Sequence, residues 1–156
     1  MQRKTYTLTE AQKKLERYCA YQERCHRDVT TKLKEMHMIP EAIDNIVSAL
    51  IQDNYLNEER FARSYARGKF NIKKWGRNRI VNELKQRNIS RYNIKAALSE
   101  IDPEQYHETL DTLVEKKWAS LTDTDLQKKK RKLLNYLLYR GWESQYVYEK
   151  IQSLEV

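Results

Sequence analysis

The chain has 156 residues, a length that fits one domain or a short array of small units and allows a buried core. No apolar run approaches the ~20 residues that cross a bilayer, and the segment MQRKTYTLTEAQKK lacks the apolar core of a signal peptide, so a cytoplasmic protein without membrane contact is expected. The formal net charge of +8 favours a polyanion or an acidic protein groove as partner.

Helices are predicted along the whole chain. It contains only three Gly and two Pro, and its apolar residues recur three or four positions apart instead of alternating. Six apolar positions also match in three copies, the second 51 residues after the first and the third 53 residues after the second. These positions are Val29, Leu33, Met38, Ile43, Val47 and Leu50; Ile80, Leu84, Ile89, Ile94, Leu98 and Ile101; and Leu133, Leu137, Trp142, Val147, Ile151 and Leu154.

The first copy opens with a helix predicted to start near Thr9, which begins a Thr-x-x-Gln capping pattern. Two further helices joined by a tight turn follow from the apolar spacing. His37 falls where the first of this pair should end in a left-handed conformation, which His adopts more readily than most residues. Pro40 suits the first position of the next helix.

The second and third copies repeat this order. A helix follows Asn57, and Asn88 and Ser90 take the positions of the left-handed terminus and the next N-cap. In the third copy a helix begins at Asp102-Pro103, and Gly141 takes the left-handed position.

The predicted fold is therefore all-α, with three tandem three-helix, helix-turn-helix-like repeats in an elongated, curved array. The units are residues 1–56, 57–102 and 103–156. Each unit would have a thin core alone, so neighbouring units are expected to share apolar surface.

Charge distinguishes the middle unit from the other two. Residues 1–56 have nine basic and eight acidic side chains, net +1; residues 57–102 have twelve and five, net +7; residues 103–156 have nine and nine, net 0. Within 63–91 the only acidic residue is Glu83. A fold does not need this imbalance, which favours a partner-facing surface.

The residues predicted to contact that partner are Arg63, Arg67, Lys69, Lys73, Lys74, Arg77, Arg79 and Arg87. Arg79 is expected to begin a helix, where backbone N–H groups also favour an anion. Trp75 could stack on an exposed base, but packing is the favoured interpretation. The residues expected to hold the unit together are Phe61, Ala62, Tyr65, Trp75, Ile80 and Leu84, with Gly76 as part of the same structural motif.

A second basic run is predicted to form a secondary contact surface in the first turns of a helix. It consists of Lys128, Lys129, Lys130, Arg131 and Lys132. Cations at a helix start oppose the helix dipole, and Asp123 and Asp125 offer internal compensation.

Catalytic and metal-binding patterns are weak. A zinc site would draw on Cys19, Cys25, His26 and His37, but the spacing of the two cysteines is not that of a zinc ribbon or finger. No catalytic triad or Gly-rich phosphate loop can be built from the sequence. We expect no enzyme, no metal and no cofactor, and the roles of Cys19 and Cys25 stay open.

Residues 56–89 carry a family resemblance. Glu58 and Glu59 precede Arg-Phe-Ala, a basic stretch leads to Gly76 with basic residues and Ile80 behind it, and Glu83-Leu84 follows. This pattern resembles the signature region of the bacterial RecX family, regulators of the RecA recombinase. Where many members have Pro after the Gly, this chain has Arg77, which leaves the turn less fixed and adds a cation.

The resemblance implies a non-catalytic bacterial protein that binds the groove of the RecA filament on DNA and limits its extension or promotes its disassembly. RecA activities such as ATP hydrolysis and strand exchange would fall, which affects homologous recombination, DNA repair and the SOS response. The implied partners are RecA and single- or double-stranded DNA, contacted through phosphates. A monomer is expected, making several weak contacts along the filament.

The alternative interpretation is a helix-turn-helix DNA-binding protein or transcription regulator. Its reading helix would be residues 91–98, with Arg91, Asn93 and Lys95 facing base edges. Such a protein should strongly prefer one duplex sequence at fixed salt.

Overall fold

A computed structural model describes residues 4–154. These residues form nine α-helices and no β-strand, which confirms the all-α prediction. None of the helices in residues 4–154 is long and apolar enough to span a membrane. The outer ends of the first and third predicted units, residues 1–3 and 155–156, lie outside the described residues. The helices are α1 (Leu8–Tyr21), α2 (His26–Glu35), α3 (Pro40–Gln52), α4 (Glu58–Asn71), α5 (Arg77–Gln86), α6 (Arg91–Leu98), α7 (Pro103–Ser120), α8 (Leu126–Tyr139) and α9 (Ser144–Gln152).

Helices that are consecutive in the chain pack in groups of three. Helix α3 contacts both α1 and α2, α4 contacts both α5 and α6, and α8 contacts both α7 and α9. Every helix except α7 has 14 residues or fewer and would be marginal alone in water, so burial of the apolar faces in these contacts is what stabilises them.

Local capping chemistry sets most helix starts. Asn57, Ser90 and Asp102 each accept a hydrogen bond from a backbone N–H in the first turn of the following helix, as predicted. Helix α1 starts at Leu8, next to the predicted Thr9, but the predicted Thr-x-x-Gln cap is wrong, because the N-cap is Thr7. Thr7 is the cap because Glu10 lies three residues after it. The Glu10 carboxylate accepts a hydrogen bond from the Thr7 N–H at 3.0 Å and completes a capping box.

The turns inside the helix pairs use the left-handed conformation. His37, Asn88 and Gly141 have φ angles of 61°, 58° and 93°, which confirms the prediction for all three positions. Asn54 and Lys74 also have positive φ, which the sequence pattern did not indicate.

Within residues 4–154 the buried apolar side chains form two cores. The first core belongs to the first three helices and the segments beside them. The second core runs continuously through α4–α9 and also takes in Cys25. The second and third groups therefore share apolar surface as expected, whereas the first group keeps a core of its own.

The threefold apolar repeat describes these cores well. All of its positions are buried except Met38, Val47, Leu98 and Leu154, which are half-buried. Ile46, which lies outside the matched positions, is fully buried in the first core.

The exposed surface indicates an extended molecule. The chain exposes 10286 Å², whereas a compact monomer of 18.9 kDa exposes about 8300 Å². Groups of helices arranged in series leave more surface uncovered than a sphere does, which agrees with the predicted elongated array.

Candidate protein and nucleic-acid interface

The candidate contact residues follow one another along the second group of helices. Helix α4 carries Arg63, Arg67 and Lys69, the turn after it carries Lys73 and Lys74, and helix α5 carries Arg77 and Arg79, with Arg87 as its C-cap. The structure thus places all eight on or beside one helix-turn-helix segment.

Two of these arginines share one carboxylate. Arg63 forms ion pairs with Glu59 at 3.2 Å and with Glu100 at 3.1 Å, and Arg67 reaches the same Glu100 at 3.1 Å. Hydrogen bonding and charge from Arg63, and then from Arg67, hold the pKa of Glu100 below its usual value. Glu100 therefore stays ionised and offsets much of this local positive charge.

Two further arginines are also paired. Arg77 meets Glu143 at 3.0 Å, and Arg87 meets Glu83 at 3.1 Å. Glu83 is the only acidic residue within 63–91 of the sequence, but it is not the only carboxylate that pairs with these cations. Folding brings in Glu100, which follows α6, and Glu143, the N-cap residue of α9, and a count along the sequence cannot reveal such pairs.

The other four candidate cations form no ion pair with any carboxylate in residues 4–154. Lys73 and Lys74 are exposed, while Lys69 and Arg79 are half-buried because their side chains pack on aromatic rings. We call these four residues the open basic surface: Lys69, Lys73, Lys74 and Arg79.

The turn that carries Lys73 and Lys74 is held by the third group of helices. The Lys73 carbonyl accepts a hydrogen bond from the Arg140 guanidinium at 2.8 Å, and the Lys74 carbonyl accepts one from the Trp142 indole at 3.2 Å. The Gly76 N–H donates to the Arg140 carbonyl at 2.8 Å. The backbone of the turn is fixed while both lysine side chains point into solvent.

The start of α5 is not a vacant anion site. This helix begins at Arg77, two residues before the predicted Arg79, and Gly76 is its N-cap. The Arg77 N–H donates to the Tyr106 hydroxyl at 2.9 Å, and the Asn78 N–H donates to the Gly141 carbonyl at 2.9 Å. The N–H groups of Arg77 and Asn78 therefore already have partners, which leaves fewer backbone donors for an external anion at this helix start.

Tyr106 joins the second and third groups of helices. Its ring stacks on Trp142 at a centroid distance of 4.4 Å, and the Arg77 guanidinium lies 3.9 Å from the ring centroid. Its hydroxyl donates to Glu143, and burial raises the pKa of Tyr106 well above its usual value. Sequence reasoning missed this contact network, although Trp142 was among the repeated apolar positions.

Trp75 lies between the core and the cations. It packs against the second core and meets Tyr65 edge-on at 6.4 Å, while Lys69 and Arg79 lie 5.0 and 4.1 Å from its ring centroid. The other residues expected to hold this unit together are in the same core, where Phe61, Ala62, Ile80 and Leu84 are buried and Tyr65 is half-buried.

The run Lys128–Lys132 occupies the first half of α8, as the sequence indicated. Asp125 caps this helix, and Lys132 pairs with Asp123 at 3.0 Å, which lowers the pKa of Asp123. Lys129 lies 4.1 Å from the Trp118 ring centroid. Internal contacts therefore offset part of this charge, and Lys128 and Arg131 stay exposed.

The features that suggested a metal site do not converge in the described part of the chain. Residues 4–154 contain no group of three or more His, Cys, Asp or Glu side chains that could hold a metal ion. Cys19 and Cys25 are both buried free thiols, and burial raises the pKa of each to about 11.

Two family models match the chain. The model described as RecX, second three-helix domain, matches residues 57–98, and the model described as RecX, third three-helix domain, matches residues 104–151.

Curated relatives and solved structures carry the same name. The regulatory protein RecX of Serratia proteamaculans (strain 568) is 34% identical over 122 residues, which cover 78% of this chain and 68% of that protein. The one from Limosilactobacillus reuteri (strain DSM 20016) is 29% identical over 136 residues, which cover 87% of this chain and 51% of that protein. The chain thus spans about half to two thirds of the length of these relatives.

A crystal structure of regulatory protein RecX superposes with a TM-score of 0.83 at 26% identity, covering 94% of this chain and 73% of that one. The crystal structure of RecX from Lactobacillus salivarius gives a TM-score of 0.80 at 24% identity, covering 94% of this chain and 96% of that one, and shows the shared fold.

Proposed function

This chain belongs to the RecX family, and from that premise we propose that it is a non-catalytic regulator that binds the RecA–DNA filament and inhibits or modulates RecA activity. The activities affected are filament extension, ATP hydrolysis and strand exchange. RecA acts on DNA, so the proposed site of action is the bacterial cytoplasm.

The observation that carries this proposal is the open basic surface. Four cations without a carboxylate partner in the described residues lie together on a segment whose other arginines are neutralised. Repulsion among unpaired cations disfavours the folded state unless an anionic partner relieves it. DNA phosphates and acidic side chains of a filament groove are partners of this kind.

The eight candidate residues then divide into two roles. The arginines at 63, 67, 77 and 87 hold helices together through their carboxylate partners, while the open basic surface makes the contacts. Lys73 and Lys74 lie on a backbone fixed by Arg140 and Trp142, so little further ordering of the turn is needed on binding.

The elongated arrangement supports several contacts at once. Groups of helices in series can lie along a groove and touch more than one RecA protomer. Contacts that are individually weak then add to a useful total affinity without a deep pocket.

The test is to add the purified protein to preformed RecA filaments on single-stranded DNA. ATP hydrolysis and strand exchange should both fall as the protein approaches a stoichiometric amount. Unchanged rates at stoichiometric protein would contradict the proposal, and a strong preference for one duplex sequence at fixed salt would support the helix-turn-helix alternative instead.

A further inference from the structure

Six side chains form a continuous alternation of cations and aromatic rings across the surface. Arg87 and Lys69 lie 5.0 and 5.4 Å from the centroid of Tyr65, Lys69 and Arg79 lie 5.0 and 4.1 Å from that of Trp75, and Arg79 lies 4.8 Å from that of Tyr139. We call this set the cation–aromatic ladder: Arg87, Tyr65, Lys69, Trp75, Arg79 and Tyr139.

The ladder crosses between two groups of helices. The second group contributes five of the ladder's residues, namely Tyr65, Lys69, Trp75, Arg79 and Arg87. The third group contributes Tyr139, the last residue of helix α8. Its Arg87 end lines an open groove of about 470 Å³ between α4 and the segment that joins α1 to α2. Two of its cations, Lys69 and Arg79, also belong to the open basic surface.

Tyr139 is the ladder's exposed end. It is 75% exposed although Arg79 covers part of its ring. Arg79 also donates to the Tyr139 carbonyl at 3.5 Å, so the guanidinium is held against this residue. The ring therefore keeps a face that is open to solvent and backed by a planar cation, with Trp75 beneath that cation.

We propose that the ladder is a binding site for single-stranded nucleic acid, in which a base stacks on the open face of Tyr139 and the adjoining phosphates contact Arg79 and Lys69. A base there would extend the existing stack of Tyr139, Arg79 and Trp75 by one layer. The inference deepens the proposed function and rests on it only for the presence of DNA near this surface.

The chemistry selects a single strand over the other polyanions. Bases of a duplex are stacked on each other and present only their edges, so a duplex can use the cations of the ladder but not the Tyr139 ring. An acidic peptide would likewise pair with Lys69 and Arg79 and leave the ring without a partner. An affinity that falls when the Tyr139 ring is removed therefore indicates that an unpaired base stacks on this ring.

The experiment measures the affinity of the full chain for a labelled thymidine homopolymer and for a duplex of equal length, by fluorescence anisotropy without RecA. Tyr139→Ala should weaken single-strand binding by about 5- to 150-fold, the loss typical of one stacked base, and should leave duplex binding unchanged. Tyr139→Phe keeps the ring and should bind like the parent protein.

The salt dependence provides a second readout. Tyr139→Ala removes no cation, so the slope of log affinity against log salt should stay the same, whereas Lys69→Ala should reduce it by about 0.7. Tyr92→Ala is the matched control, because Tyr92 is 74% exposed on α6 and makes none of the cation–ring contacts of the ladder, so its loss should change neither affinity.

Equal effects of Tyr139→Ala and Tyr92→Ala would overturn the proposal, and so would equal losses for single strand and duplex. Binding of a poly-glutamate peptide that also depends on Tyr139 would assign the ladder to an acidic protein instead. The binding assay contains no RecA, so its result is independent of the RecA assay. If single-strand binding depends on the ladder but the protein does not alter RecA activity, only the proposed function is contradicted.

Discussion

Tyr106 is a fully buried tyrosine whose hydroxyl has a partner on each side. It accepts from the Arg77 N–H and donates to Glu143, and Glu143 in turn pairs with Arg77. Three residues from three different segments therefore satisfy one another's polar groups, and loss of the Tyr106 hydroxyl removes one partner from the Arg77 N–H and one from the Glu143 carboxylate.

Replacing Tyr106 with Phe should lower the free energy of unfolding by about 1–3 kcal/mol at pH 8, the usual cost of unpaired buried polar groups. Because burial raises the pKa of Tyr106, the stability it contributes is complete below its ordinary value of 10.0 and is lost as the pH rises above it. Urea unfolding of both proteins at pH 8 and pH 11 should show a smaller difference at pH 11. A difference that is larger at the higher pH would mean that the phenol is not held in its neutral form.

At this scale, sequence reasoning succeeds where the interaction is local. The caps Asn57 and Ser90 and the left-handed Gly141 follow from neighbours within a few positions. The Tyr106 network joins residues 29 and 37 positions apart, and no periodic pattern marks such a pair. Ion pairs between residues far apart in the chain, such as Arg63 with Glu100, were missed for the same reason.

The start of α5 and the α8–α9 turn approach each other closely. A Cβ atom on Gly76 would collide with the Gly141 carbonyl, and a Cβ atom on Gly141 would collide with Arg79. Gly141 also has a φ of 93°, which L side chains rarely adopt. The two glycines allow the second and third groups of helices to share one core.

The glycines of this chain provide a matched test of that junction. Gly76→Ala should lower the free energy of unfolding by about 1–3 kcal/mol through overpacking against backbone. Gly68→Ala should raise it by about 0.5–1 kcal/mol, since Gly68 is within helix α4 and no atom lies within 4 Å of the position of an added Cβ. Urea denaturation measures both, and a Gly76→Ala protein as stable as the parent would show that the backbones do not meet closely.

Elements were the easiest features to predict. The threefold apolar repeat and the turn residues gave all nine helices of the described chain in order, because periodicity reports directly which face of a helix is buried. The division into two cores did not follow from it. Every copy has a similar apolar pattern, and the fusion of the second and third cores depends on Tyr106, Trp142 and the two glycines.

The whole molecule combines one charged middle section with two nearly neutral ends. The excess lies where the sequence places it, in residues 57–102, and the structure pairs four of the eight candidate cations with carboxylates, which leaves the other four as the open basic surface. That surface lies at and beside the turn between α4 and α5, and hydrogen bonds from Arg140 and Trp142 of the third group hold the backbone of this turn. Its position and its rigidity both favour contact with an anionic partner.

The most direct test of this account compares two charge reversals of equal size in RecA inhibition. One variant carries Lys73→Glu and Lys74→Glu, and the control carries Lys13→Glu and Arg17→Glu, two exposed residues of α1 without an ion pair in the described chain. Both proteins should keep the helical circular dichroism of the parent. Half-inhibition of RecA ATP hydrolysis should require about tenfold more of the first variant, which corresponds to about 1.4 kcal/mol for two lost contacts, and an unchanged amount of the control. Equal inhibition by the two variants would contradict the assignment of the open basic surface as the contact surface.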